Sequence, residues 1–159
     1  KIVMIFKIKK GNHYSQLKIK LWFGKRLFTW PIKFDDSCKY DFKDDDNYDI
    51  NKLVGIGWLP HIWADSIRFG WVYNNQKDRV DVYAYCYVKS IRTVEFITSV
   101  NINEIYNYTI EIGDSNYQFT VNNITVSIDH SNKKLFQYLL RPFFGGNKPA
   151  PQDITIHIG

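Results

Sequence analysis

Residues 55–89 have the sequence GIGWLPHIWADSIRFGWVYNNQKDRVDVYAYCYVK, and this stretch decides the fold. Alternate positions of its second half carry small apolar side chains: Val80, Val82, Ala84, Cys86 and Val88. The positions between them carry Asp81, Tyr83, Tyr85, Tyr87 and Lys89. Because successive side chains of a strand point to opposite faces, the pattern predicts a strand with one core face and one face that bears three tyrosines.

The first half of this stretch predicts the partner of that strand. Ile67, Phe69 and Trp71 alternate with Ser66, Arg68 and Gly70, and a polar segment, residues 74–78, separates the two runs. Such a segment between two alternating runs is typical of a hairpin loop. The sequence therefore predicts a hairpin with an outer face that is aromatic and carries an arginine.

The same alternation recurs along the rest of the chain and predicts its architecture. The further strand segments are residues 2–8, 17–23, 28–34, 51–58, 92–100, 106–112, 117–121, 124–128, 136–144 and 154–158. Pro31 interrupts one of them and predicts an edge strand or a bulge. No helical pattern of useful length occurs, so the sequence predicts one all-β domain over residues 1–159: an antiparallel two-sheet β-sandwich, or jelly roll. A closed barrel is the alternative.

Composition limits the partners of the domain. Aromatic residues make up 17% of the 159 residues, and the net charge is +5. The charge allows an anionic partner such as an acidic glycan or a nucleic acid, but the basic residues form no block and no nucleic-acid motif occurs. No apolar run reaches the length of a membrane span, so neither nucleic acid nor a membrane is expected. The chain begins at Lys1 and leaves open whether a signal peptide was removed.

Metal and cofactor sites are not expected from the sequence. Cys38 and Cys86 are the only cysteines, a disulfide between them has no support from spacing, and no zinc motif occurs. The acidic segment, residues 35–49, carries the oxygen ligands that calcium prefers, but it lacks the spacing of an EF-hand loop. Calcium is therefore only a subordinate alternative to a solvated loop.

Three parts of the chain follow one another in a recognisable order. They are the hairpin, with DSIRFGWVYN at residues 65–74 and DRVDVYAYCYV at 78–88, the meander, with NYTIEI at 107–112, YQFTV at 117–121 and ITVSI at 124–128, and the ending RPFFGGNKPAPQDITIHI at 141–158. Together they resemble the concanavalin A-like lectin/glucanase superfamily. More narrowly, the chain is similar to small uncharacterised sandwich proteins of gut bacteria and their phages. The superfamily includes lectins, glycan-binding modules, glycoside hydrolases and polysaccharide lyases, in which a concave sheet commonly holds the sugar. The resemblance implies a sandwich and a glycan-binding face, and does not imply a reaction.

Catalytic patterns favour binding over turnover. Glu95, Glu104 and Glu111 are the only glutamates, and they do not form the paired carboxylates of a glycosidase. A polysaccharide lyase would need a group that neutralises a uronate and a Tyr or His that moves protons. The sequence supplies such residues without a recognisable lyase motif, so an enzyme is the less favoured alternative.

The candidate ligand-binding residues are Tyr83, Tyr85, Tyr87, Arg68, His61 and His157. Tyrosines present flat rings to sugars, and an arginine fork binds carboxylate or sulfate. Each has a structural alternative: the tyrosines as a cross-strand ladder, Arg68 in a pair with Asp65 or Asp81, and the histidines as ordinary surface residues.

Three functions follow from these residues. The favoured one is a non-catalytic, lectin-like module for a glycan or polysaccharide, in an extracellular or virion-surface setting. The second is a structural or adhesive component of a virion or cell surface, with a protein partner or a homo-oligomer on the same face. The third is a polysaccharide lyase that acts on uronate glycans.

Overall fold

The computed structural model describes residues 4–159, and within them the chain forms twelve strands and two short 3-10 helices. The helices span Asp36–Cys38 and Asp45–Tyr48. The strands are β1 (Met4–Ile8), β2 (Leu21–Phe23), β3 (Leu27–Phe34), β4 (Asn51–Trp58), β5 (Ser66–Asn74), β6 (Arg79–Val88), β7 (Ile91–Asn101), β8 (Ile105–Ile112), β9 (Asn116–Val121), β10 (Ile124–Asp129), β11 (Phe136–Leu140) and β12 (Ile154–Ile158).

The strands form two antiparallel sheets, which confirms the predicted sandwich. In the described chain, sheet A has the order β1-β12-β3-β8-β9-β10, and sheet B has the order β2-β11-β4-β5-β6-β7. The predicted hairpin is β5 and β6, in which Ser66 pairs with Tyr87 and Arg68 pairs with Tyr85. Arg68 and the tyrosines therefore share the outer face of sheet B, as their positions in the sequence predicted.

The core lies between the sheets and takes the apolar side of every long strand. From sheet B come Ile67, Phe69 and Trp71, all fully buried, and sheet A contributes rings such as Tyr108 and Phe119. Phe69 meets both of these rings edge-on, at centroid distances of 5.2 and 5.5 Å. This layer covers the inner face of sheet B, so Arg68 and Tyr85, which pair across β5 and β6, lie on the face away from it.

Two strand predictions need correction. The strand predicted over residues 17–23 forms only at Leu21–Phe23, and the one over 136–144 ends at Leu140. The predicted edge position of Pro31 is also wrong, because β3 lies between β12 and β8. Pro31 is tolerated because β12 pairs with β3 only from Ile32 to Phe34. Ile2 and Val3, predicted as the start of the first strand, lie outside the described residues.

Aspartates of the acidic segment are engaged in local hydrogen bonds and ion pairs. Asp35 and Asp44 cap the two 3-10 helices, and Asp44 also forms an ion pair with Lys148 at 2.5 Å. Within residues 4–159, no group of three or more His, Cys, Asp or Glu side chains is placed to hold a metal ion. The arrangement gives the calcium alternative no support.

Two further features of the chain bear on its environment. Cys38 and Cys86 are both free and buried. In the described part of the chain, no helix has the length and apolarity needed to cross a membrane.

Candidate binding groove

An open groove of about 610 Å³ lies on the outer face of sheet B, and we call it the Arg68 groove. Its floor comes from four neighbouring strands, with Lys52 on β4, Arg68 on β5, Tyr85 on β6 and Tyr138 on β11. Its walls are loop residues: Tyr14, Leu17, Lys18, Ile62, Trp63, Arg141, Pro142 and Phe143. The groove therefore runs across the strands and is enclosed by three separate loops.

Two glycines of β4 make room for the floor of the groove. Gly55 pairs with Arg68 of β5, and a Cβ atom on Gly55 would overlap the Cβ of Arg68. Gly57 pairs with Tyr138 of β11, and a Cβ there would lie 2.6 Å from the tyrosine ring. Because a strand glycine often marks a close approach, the sequence GIGW gives β4 the flat surface on which both side chains lie.

Arg68 is a buried cation at the base of the groove. The residue is 8% exposed, and its Nη2 donates hydrogen bonds to the carbonyls of Leu53 at 3.1 Å and Arg141 at 2.6 Å. Burial lowers the pKa of its guanidinium to about 10, against an opposing effect of Tyr85 and Tyr138. It therefore remains charged at neutral pH.

No acidic side chain neutralises Arg68 in the part of the chain that the structure describes. The Asp65 alternative is used elsewhere, since its carboxylate pairs with Lys134 at 2.8 Å. The Asp81 carboxylate accepts a hydrogen bond from Ser99 at 2.5 Å. The Nε of Arg68 is buried and has no hydrogen-bond partner within residues 4–159. An ion pair inside the protein, the structural alternative for Arg68, is therefore not formed among these residues.

Lys52 is a second cation of the floor. Its ammonium donates to the carbonyls of Ile50 at 3.0 Å and Gly145 at 3.4 Å, and it lies 5.1 Å from the centroid of the Tyr85 ring. Burial lowers the pKa of Lys52 to about 8, and repulsion from Arg68 and from Arg92 adds to the effect. The Lys52 ammonium is thus held close to its point of deprotonation at mildly alkaline pH.

Aromatic side chains complete the surface of the groove. Tyr85 and Tyr87 meet edge-on with centroids 6.3 Å apart, and burial raises the pKa of Tyr87. On the opposite wall, Tyr14 meets Phe143 edge-on at 5.0 Å, and the Arg141 guanidinium lies 5.7 Å from the Tyr14 centroid. Flat rings of this kind stack on the C–H faces of sugars while their polar groups form hydrogen bonds.

The charge of the groove has one sign. Its described lining contains the cationic side chains of Lys18, Lys52, Arg68 and Arg141, and none of its residues is Asp or Glu. Such a concentration of positive charge in a partly desolvated cleft favours an anionic ligand.

The structure brings together only part of the predicted site. Tyr85, Tyr87 and Arg68 line the groove, whereas Tyr83 packs edge-on against Phe96 at 5.6 Å and does not line it. The pairing of β6 with β7 shifts register between Val82 and Tyr83, next to the point where Tyr83 packs on Phe96.

Neither predicted histidine lines the groove. His61 is exposed on the loop before β5, next to Trp63 at a centroid distance of 5.8 Å. His157 belongs to sheet A, where its Nε2 lies 2.8 Å from Asp35.

Several lining residues were missed by the reasoning from sequence. The missed residues are Lys52, Tyr138 and Arg141, which lie outside the β5–β6 hairpin. The alternation of apolar and polar residues in their own segments does not indicate that they meet at one site. One signal was present: Lys52 stands before the run LVGIGW, in which two glycines interrupt an otherwise apolar strand.

The comparisons with known proteins concern the fold. No protein-family model and no curated protein matches the chain. The solved structure of alginate lyase AlyC3 aligns with a TM-score of 0.63 at 11% identity, over 98% of this chain and 72% of that one. A Bacteroides ovatus mixed linkage glucan PUL GH16 in complex with its product aligns with a TM-score of 0.55 at 12% identity, over 97% of this chain and 77% of that one. A third structure, alginate lyase A1-II′ of polysaccharide lyase family 7, gives a TM-score of 0.55 at 11% identity, over 86% of this chain and 61% of that one.

The chain has the concanavalin A-like β-sandwich fold. This confirms the architecture implied by the resemblance noted in the sequence. At identities this low, the likeness establishes the fold alone, and the function of this sandwich has to be argued from its own groove.

Proposed function

We propose that the chain is a lectin-like module that binds an acidic polysaccharide, bearing uronate or sulfate groups, in the Arg68 groove. The observation that carries the proposal is the buried guanidinium of Arg68, which has no acidic partner in the described chain. Taking a charge out of water costs several kcal/mol unless a counter-charge compensates it. A ligand carboxylate or sulfate supplies that counter-charge.

The geometry of the guanidinium fits an oxyanion. Nη2 of Arg68 is occupied by two backbone carbonyls, which fix the plane of the group. With Nη2 taken and Nε buried, Nη1 is the donor that remains for an oxyanion, and a donor held in place loses less conformational entropy on binding than a mobile cation does. Lys52 and Arg141 then provide a second and a third positive charge along the groove for neighbouring acidic units of the polymer.

The rings give the groove its sugar-binding character. Trp63 is 61% exposed at one wall, and Tyr85 and Tyr87 form part of the floor. Stacking on these rings holds the sugar rings, while the cations select acidic chains over neutral ones. Because such polymers coat cells and matrices, we propose an extracellular or surface setting for the chain.

Titration calorimetry with polygalacturonate, alginate, a sulfated glycan and a neutral β-glucan tests this function. We expect binding to at least one acidic polymer, weakening as salt is added, and no binding to the neutral one. Arg68→Met should weaken binding by at least about 30-fold, since removal of one partner of a buried charge pair costs 2–5 kcal/mol.

The matched control is Arg26→Met, which removes the same charge from an exposed arginine that pairs with Asp114 outside the groove. This variant should bind as the unmodified chain does. Equal losses in Arg26→Met and Arg68→Met, or no binding to any acidic glycan by the folded protein, would contradict the proposal.

A polysaccharide lyase is the second candidate, and the observation that favours it is Lys52. The pKa of its amine, about 8 in the free groove, makes it a base at alkaline pH for the C5 proton of a uronate whose carboxylate is held by Arg68, while the C4–O bond to the leaving sugar breaks and water protonates the leaving oxygen. Such an activity would release an unsaturated, ultraviolet-absorbing product. It would be abolished by Lys52→Met while part of the binding persists, and absence of product over several uronate polymers would exclude it.

A further inference from the structure

An apolar strip extends from the groove to the edge of sheet B. Its members are large and between 63% and 75% exposed: Leu17, Ile19, Leu21, Phe23 and Phe136. Leu21, Phe23 and Phe136 share the outer face of sheet B, since Leu21 pairs with Tyr138 and Phe23 pairs with Phe136, with the two phenyl centroids 5.0 Å apart. Leu17 and Ile19 precede β2 at positions of the same parity. An exposed apolar strip of this length is typical of an interaction surface.

The backbone at this edge is also available for pairing. Lys20 accepts a hydrogen bond from Leu139, and Gly24 donates one to Leu135, both at 2.9 Å. In an antiparallel ladder, residues two apart turn towards the same neighbour, so the peptide groups of Leu21 and Phe23 point away from β11. No described strand lies on that side of β2. A row of open donors and acceptors like this one is a template for another strand.

The sequence of the strip, LKIKLWF at residues 17–23, complements itself in one antiparallel register. Centred on Leu21, the register sets Leu21 against its own copy, Ile19 against Phe23, and Lys20 against Trp22. A lysine over a tryptophan ring is favourable. The same pair already lies close within one chain, where the Lys20 ammonium is 5.5 Å from the Trp22 centroid.

The neighbouring registers are opposed by charge. Centring on Lys20 would set Lys20 against its own copy, and centring on Trp22 would set Lys18 against Arg26. Like charges directly opposite one another destabilise a strand pair. One register is therefore favoured by packing, by cation–π contact and by the absence of repulsion.

We infer that β2 pairs antiparallel with β2 of a second copy of this chain about a twofold axis, which joins the two B sheets into one continuous sheet. The interface is isologous, because each copy contributes the same residues. Both Arg68 grooves then open on the same side of the joined sheet. A consequence that rests on the proposed function is that one long acidic polymer bridges both grooves and gains avidity.

Sedimentation velocity over roughly a hundred-fold range of concentration tests the dimer, because association follows mass action. We expect a reversible monomer–dimer equilibrium. Leu21→Pro removes the outward N–H and leaves the pairing with β11 intact, and Leu21→Lys sets two ammonium groups against each other. Both variants should be monomeric at every concentration. Ile124→Lys is the control, since Ile124 is also exposed and lies on β10, one of the two edge strands of sheet A in the described chain.

The outcomes are distinct. A protein that stays monomeric over the whole range, or a dimer that survives both Leu21 variants, overturns the inference. If Leu21→Pro fails to fold by circular dichroism, Leu21→Lys decides alone. The proposed function is scored separately with a short acidic oligosaccharide that fills one groove: Leu21→Lys should bind it as the unmodified chain does, while its binding of the long polymer weakens about 10²-fold or more.

Discussion

Gly55 lies directly opposite Arg68 in the pairing of β4 with β5, and the arginine side chain begins where a Cβ of residue 55 would stand. The glycine therefore sets the depth at which the guanidinium is buried. The position of the Arg68 charge in the groove therefore depends on residue 55 having no Cβ atom as well as on the arginine.

Gly55→Ala should destabilise the fold and displace Arg68. The added methyl group overlaps the Arg68 Cβ and the Ile67 carbonyl, and neither is the end of a flexible side chain. Overpacking of this kind costs about 1–3 kcal/mol or more, measurable by urea unfolding. Gly146→Ala is the control, because its Cβ would lie 3.5 Å from Asp49 in ordinary contact, and we expect a change within about 0.5 kcal/mol. Equal stability of the two variants would contradict this account of the groove.

The sequence predicted the sandwich well because the long strands turn one face of apolar side chains to the core. In β6, the alternation of Val82 and Ala84 with Tyr83 and Tyr85 is a direct consequence of that burial. The prediction failed where alternation does not decide pairing. Residues 17–20 alternate as a strand does, but the regular pairing with β11 stops at Leu21, and only the Lys20 carbonyl still accepts a hydrogen bond from Leu139.

The groove was only half predictable for a related reason. Parity places Arg68, Tyr85 and Tyr87 on one face, but it carries no information on which loops rise beside that face. Arg141 reaches the groove because its carbonyl accepts a hydrogen bond from Arg68, a contact between residues 73 positions apart. His157 was predicted as a site residue because the sequence does not show which sheet its strand joins. The structure places that strand, β12, in sheet A.

Arg68→Met should separate binding from stability. The variant removes a buried charge that has no acidic partner in the described chain, which offsets the two hydrogen bonds it loses to carbonyls. We expect its free energy of unfolding to stay within about 1 kcal/mol of the unmodified chain, whereas Arg68→Ala leaves a cavity and should cost about 2–5 kcal/mol. Both should lose binding. A collapse in stability of Arg68→Met as large as that of Arg68→Ala would mean that the guanidinium is mainly structural.

The two cysteines should be unreactive in the native protein. Cys38 and Cys86 are buried, and burial raises the pKa of both thiols well above the usual range, so almost no thiolate forms at neutral pH. A thiol reagent such as Ellman's should label neither in buffer and both in denaturant. Labelling of fewer than two thiols in denaturant without reductant would indicate oxidation, and rapid labelling of the native chain would show that the sandwich opens there.

Asp35 and His157 should contribute to stability and not to binding. Burial acts to raise the pKa of Asp35, but hydrogen bonds from Ser37 and His157 outweigh it and hold the pKa below the ordinary value of 3.8. Because the pKa of Asp35 is lower in the folded protein than in the unfolded one, the ionised carboxylate stabilises the fold. This stabilisation is complete at pH values above the unfolded-state pKa, and it is lost as the pH falls through the folded-state pKa. Asp35→Asn should therefore unfold more easily at neutral pH, with the difference shrinking below about pH 4.

Binding measured on a His157 variant tests whether this histidine contacts the ligand. Because His157 lies on sheet A, His157→Gln should bind acidic polysaccharide as the unmodified chain does. A loss of binding in this variant without a loss of stability would bring His157 back as a ligand-binding residue.

Lys52 should make ligand affinity depend on pH. Burial and the repulsion of Arg68 and Arg92 lower its pKa to about 8 in the free groove, and an anionic ligand would raise it again. The complex then keeps a proton that the free protein loses, so affinity should fall as pH rises above 8, by up to about tenfold per pH unit. Lys52→Arg keeps its charge throughout this range and should bind with the same affinity from about pH 7 to 9, below the pKa of about 10 of Arg68. Lys52→Met should bind more weakly and with no pH dependence, because it has no proton to lose. Calorimetry in two buffers of different ionisation enthalpy would detect proton uptake near pH 8.5 in the unmodified chain alone, and an unchanged pH profile in Lys52→Met would assign the titration to another group.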